Sequence, residues 1–117
     1  MQFFRFDSES GKQVTHFGSD FVMSRILKTE SAVQISCMHL DAGGVIGYHQ
    51  AAVPQLMLVV SGNGKVKGKE DQYINAEAGD AVFWEKDEWH ETITDDGLTA
   101  IVIEGPELSP SIIIERP

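Results

Sequence analysis

The chain has 117 residues, 32 of them Leu, Ile, Val or Phe, which excludes a disordered protein and makes one domain over residues 1–117 the expectation. Nine Lys and Arg against 18 Asp and Glu leave a formal charge of −9. Such a chain repels phosphate backbones and anionic headgroups, so neither nucleic acid nor a membrane surface is expected as a partner. The single cysteine, Cys37, forms no intrachain disulfide, no run is apolar enough for a membrane helix, and MQFFRFDSESGKQ is not a secretory leader; the expectation is a cytoplasmic protein.

In chain order, the first 30 residues carry Phe3, Phe4, Phe6, Phe17 and Phe21 and are expected either to cover the core or to supply a dimer strand. The core is expected over about residues 31–105. FVMSRIL (21–27) and AVQISCMHL (32–40) have the length and composition of strands, and Asp41-Ala42-Gly43-Gly44 breaks the chain after them. The run from Gln55 to Ser61 predicts a further strand. Asn63-Gly64 then predicts a type I′ hairpin back into Lys65 to Gly68, because both central positions of that turn need positive φ. Lys65, Lys67 and Lys69 share one face, the pattern of a protected edge strand.

Strands are also predicted over residues 72–75, 81–84, 89–94 and 98–104, with Asp95-Asp96-Gly97 as a second primed turn. Residues 110–116 read as a strand or a tail. Short strands with turn signals every 8–12 residues predict an all-β sandwich or barrel. Leu56-Met57-Leu58-Val59-Val60 is apolar on both faces, so both are expected to be buried: one inside the barrel, the other under the N-terminal segment or a second subunit, giving a homodimer.

The chemistry concentrates in two frames. From Gly43, five residues lead to His49, then come Ala51, Gln55 and Gly62; from Gly79, five residues lead to Glu85, then Asp87 and His90. This pattern resembles the two signature motifs of the cupin superfamily, G-x5-H-x-H-x3/4-E-x6-G and G-x5-P-x-G-x2-H-x3-N, over roughly residues 31–105. The resemblance implies an all-β fold, the double-stranded β-helix or jelly-roll barrel. It also implies a divalent metal held by three histidines and a glutamate, at positions that here carry His49, Ala51, Gln55 and His90. Ala51 offers no donor and Gln55 only a neutral oxygen; Glu85, Asp87 and Thr94 replace the proline, glycine and asparagine of the second motif.

What remains is a His49–Gln55–His90 set, a weak site for zinc, iron, nickel or manganese, without the carboxylate of a two-histidine iron centre. His39, on the Val33-Ile35-Cys37-His39 face, joins the pocket if that face is inward, and Cys37 on the same face is expected to be inert in apolar surroundings. Alternation from Gln55 adds Met57 and Val59, alternation from His90 adds Thr92, and Trp84 and Trp89 flank the acidic connection between them. A pocket of a few polar groups beside apolar walls suits a small organic ligand. The leading expectation is therefore a binding domain for such a molecule, with or without a weak divalent metal. The alternatives are a metal-dependent enzyme of dioxygenase or isomerase type using His49, Gln55 and His90, and a metal-free enzyme with His90 or His49 as general base oriented by Glu88 or Glu91.

Overall fold

The computed structural model describes all 117 residues. There is no α-helix, only two 3-10 turns at Ser8–Ser10 and His16–Gly18. The strands are β1 (Gln2–Arg5), β2 (Lys12–Val14), β3 (Phe21–Met23), β4 (Gln34–Leu40), β5 (Val45–Gln50), β6 (Gln55–Lys67), β7 (Ile74–Glu77), β8 (Asp80–Trp84), β9 (Trp89–Ile93), β10 (Leu98–Glu104) and β11 (Ile114–Glu115).

Every pairing is antiparallel. One layer runs β11-β1-β8-β6-β10-β4, and the other joins β5 to β9, β9 to β6 and β6 to β7. The strand common to both layers is β6: residues 55–58 pair with β8, and residues 63–67 pair with β7 and β9. This two-layer arrangement is the expected double-stranded β-helix. β2 and β3 form a separate two-stranded arm.

Period-two alternation divides the apolar residues of the first layer into two cores. Met57, Val59, Val82, Trp84, Leu98, Ala100 and Val102 face the space between the layers, where Val66 and Ala76 meet them. Leu56, Leu58, Ala81, Phe83 and Ile103 face the other way and pack against Phe4, Leu108 and Ile113, with Phe6, Ile26 and Leu27 at the margin. Residues 56–59 are thus buried on both faces, and the chain's own ends provide the outer cover; Val60 is exposed. The N-terminal phenylalanines do not act together. Phe4 and Phe6 cover the outer core, Phe3 packs on the inner one, and Phe17 and Phe21 are exposed on the arm.

Three local expectations are corrected. Asn63-Gly64 is not a hairpin: β6 runs straight through it, with Asn63 opposite Glu77 and Gly64 opposite Ala76. The glycine at 64 serves close approach instead, since a Cβ there would sit 2.5 Å from the Ile93 carbonyl oxygen. The positive φ falls one residue before this dipeptide, at Gly62 (77°), where β6 passes between layers. Residues 65–67 are flanked by β7 and β9, so Lys65 and Lys67 do not lie on an edge strand. Asp95-Asp96-Gly97 turns the chain, but β9 and β10 do not pair with each other, and only Gly97 has positive φ. Thr94 closes that turn, its hydroxyl donating to the Asn63 carbonyl (2.7 Å) and accepting from Gly97 N–H (2.9 Å).

Candidate functional site

Between the layers, at the Gln55 end of β6, lies a cavity of about 180 Å³. Its polar lining is His49, Gln55, His90, Thr92 and Glu104; Trp84 and the apolar side chains of Met38, Ile46, Met57 and Val102 complete it.

β5 and β9 place the two histidines. His49 and His90 are opposite each other in the antiparallel ladder, with ring centroids 4.4 Å apart. The ladder is irregular between Ile46 and His49. His49 is exposed, and its Nδ1 lies 2.7 Å from the Gly47 carbonyl. A carbonyl only accepts, so Nδ1 carries a proton.

His90 is 4% exposed and its ring lies 4.4 Å from that of Trp84, itself 1% exposed. Burial pushes the His90 pKa down to about 4; the charge of the adjacent His49 pushes the same way, and Glu88 opposes both. His90 is therefore a neutral imidazole at pH 7. Its Nε2 and the Trp84 Nε1–H have no hydrogen-bond partner in the protein. Two orphaned buried nitrogens beside one cavity are costly, since each buried unsatisfied group forfeits about 1–3 kcal/mol.

Gln55 and Glu104 are register partners on β6 and β10. The Gln55 amide donates to the Glu104 carboxylate at 3.5 Å, the long limit for such a bond. Glu104 forms no ion pair. The sequence reading missed it because it lies outside both motifs, at the end of the last core strand. The signal was available: Leu98, Ala100 and Val102 share its parity, and the strand that carries Gln55 is its neighbour.

The structure brings together His49, Gln55, Met57, Trp84, His90 and Thr92 around the cavity. Thr92 is buried, with its hydroxyl 3.9 Å from the Met57 sulfur. Three expected lining residues lie elsewhere. Val59 faces the same inner core as Met57 but lies deeper along β6, beyond the cavity. Trp89 faces outward and stacks on Tyr48, with centroids 5.2 Å apart and planes at 22°. His39 is on the wrong face of β4: Met38 pairs with inward Ala100, whereas Cys37 and His39 pair with Ile101 and Thr99 on the outer side. Cys37 is accordingly exposed, contrary to the expectation of an inert thiol among apolar neighbours.

A model of the cupin domain matches residues 36–104, more than half of the sequence. The chain belongs to the cupin family. This cupin resembles, by fold, a cupin superfamily protein from Desulfitobacterium hafniense DCB-2, at 20% identity and a TM-score of 0.59 over 70% of this chain and 74% of that one. It also resembles an uncharacterised protein with a double-stranded β-helix domain from Klebsiella pneumoniae, at 14% identity and a TM-score of 0.60 over 80% and 84% of the two chains. The DMSP lyase DddQ from Ruegeria pomeroyi is similar at 18% identity with a TM-score of 0.59, over 89% of this cupin and 56% of the lyase. No curated protein sequence matches it.

The metal that the family implies can be tested against these side chains. Ala51 is buried and donates nothing, and the Gln55 amide is turned to Glu104. No three His, Cys, Asp or Glu side chains group so as to hold an ion. Two facing imidazoles alone do not make a resident divalent centre, and the donor set of this cupin does not fit one.

Proposed function

We propose that this cupin binds a small organic molecule, uncharged or singly charged, in the cavity between its layers, without a resident metal. The observation that carries this reading is the pair of unpartnered buried nitrogens, His90 Nε2 and Trp84 Nε1, on two side chains that line the cavity. A ligand that accepts from the indole N–H and bonds the imidazole recovers what folding leaves unmet. Met38, Ile46, Met57 and Val102 supply the apolar contact, and the acidic chain disfavours nucleotides.

A thermal-shift screen of compounds with fewer than about ten non-hydrogen atoms tests it, the size following from a volume of about six waters at ~30 Å³ each. At 100 times its Kd a true ligand stabilises the fold by about 2.7 kcal/mol. His90→Ala and Trp84→Phe are each expected to weaken a hit by about 1–3 kcal/mol. Hits that bind both variants as well as the parent lie outside the cavity and overturn the reading. The competing reading, a divalent ion on His49, Gln55 and His90 serving dioxygenase or isomerase chemistry, makes a different prediction. Under it, zinc, iron, nickel or manganese binds with 1:1 stoichiometry, and Gln55→Glu and Ala51→His each tighten it.

A further inference from the structure

Of the cavity's polar groups, Glu104 is the only carboxylate. It is half-buried, forms no ion pair, and has one weak neutral partner in the Gln55 amide. A carboxylate that lines a cavity attracts positive charge, the more so where no protein cation neutralises it. Here no lysine, arginine or N-terminal ammonium comes within 4 Å of it. Lys65 and Lys67 lie on strand residues 63–67, in the half of β6 away from Gln55, and Lys67 is held over the rings of Tyr48 and Tyr73. Arg5 and Arg116 are bound to Asp80. The N-terminal ammonium is paired with Glu88.

The remaining walls suit a cation as well. The indole of Trp84 is an aromatic ring beside the cavity, and the sulfurs of Met38 and Met57 are polarisable. The Gln55 carbonyl oxygen adds an acceptor, beside donors in the Gln55 amide, the His90 ring and Trp84 Nε1–H. We infer that the ligand of this cavity is a small organic monocation, its charge set against Glu104 and a polar end accepting from the Trp84 N–H. The inference rests on the proposed function and narrows it to a ligand class.

Choline and its uncharged isostere 3,3-dimethylbutan-1-ol test it, because they share size and hydroxyl and differ in charge alone. In calorimetric titrations choline is expected to bind at least about tenfold more tightly, which is about 1.4 kcal/mol. In Glu104→Gln, checked for an unchanged melting temperature, the ratio falls to near one while the alcohol's affinity stays within about twofold. Glu104→Asp retains the preference. Equal affinities in the parent protein overturn the monocation, and need no variant to do so; so does a preference that survives Glu104→Gln. If the alcohol binds in a His90-dependent way without discrimination, the cavity reading stands and the charge assignment falls. If neither compound binds, both fall.

Discussion

His90 combines three properties that follow from one placement: burial, a neutral ring and an unmet nitrogen. Its depressed pKa fixes the sign of an acid effect. The unfolded chain protonates this ring near its ordinary pKa of 6.5, while the folded one does so only near 4. Between those values the unfolded state holds more protons, so the stability that His90 supports is complete above pH 6.5 and is lost as pH falls toward 4. Because the pocket opens to solvent and salt, the loss is expected to be about 1–3 kcal/mol. Urea denaturation at pH 7 and pH 4.5, compared between the parent and His90→Gln, measures it; an identical pH dependence in both proteins would refute the assignment.

At this scale the sequence was informative where a motif fixed spacing, as for His49 and His90. It was silent where only strand parity decided the face. Val33-Ile35-Cys37-His39 looks more apolar than Ser36-Met38-Leu40, yet the second set faces the core. The first set is left on the open side of β4, with Ile35 62% exposed. Composition could not choose, because the choice depends on which face of β10 meets it.

Among the elements, β6 sets the architecture. Its middle must pass between the layers, and Gly62 is where it does so: φ is 77°, and a Cβ would lie 2.2 Å from the Gly97 carbonyl oxygen. A side chain here is both conformationally strained and blocked by backbone that cannot swing away. Gly62→Ala is expected to cost at least about 2 kcal/mol, read as a lowered urea midpoint at unchanged slope; a loss under 0.5 kcal/mol, within the range of ordinary surface changes, would show that the crossing is more tolerant than its geometry implies.

Most strands were legible, residues 98–104 with the same limits, but the strands at 2–5, 12–14 and 45–50 were not, the last of them the one that carries His49. The failure at Asn63-Gly64 has a physical cause. The same dipeptide that permits a tight turn also permits close passage under a neighbouring strand, and only tertiary structure distinguishes the two. At the chain ends, Asp80 accepts from Glu77 N–H (3.0 Å) and pairs with Arg116 (3.1 Å) and Arg5 (3.3 Å). This buried carboxylate fastens β1 and β11 to β8. Asp80→Asn is expected to destabilise by about 1–3 kcal/mol and to raise protease cleavage within residues 106–117 before any other site; uniform cleavage would mean that the ends are held by packing alone.

For the whole molecule, the shape is extended, 47 × 32 × 25 Å with a radius of gyration of 14.6 Å, against about 13 Å for a compact chain of this length. The β2–β3 arm exposes Phe17, Phe21, Val22 and Met23 together, and Phe17 is held at a positive φ of 60° with its ring wholly in solvent. Nothing within the chain covers this surface or the outer face of β4. A homodimer burying more than about 1,200 Å² in total would cover them. Light scattering is expected to give twice the chain mass at micromolar concentration, and Phe21→Asp with Met23→Asp to halve it; a monomer mass for the parent protein would remove the dimer.

The shared strand has a final consequence, for the order in which the molecule comes apart. Because β6 is hydrogen-bonded to β7, β8, β9 and β10, neither layer is free to peel from the other, and its backbone amides should be among the last to exchange with deuterium, at rates set by global unfolding rather than by local opening. Its assembly is correspondingly slow. β1 must find β8, and β4 must find β10, across most of the chain, which places refolding in the millisecond-to-second range of non-local β topologies.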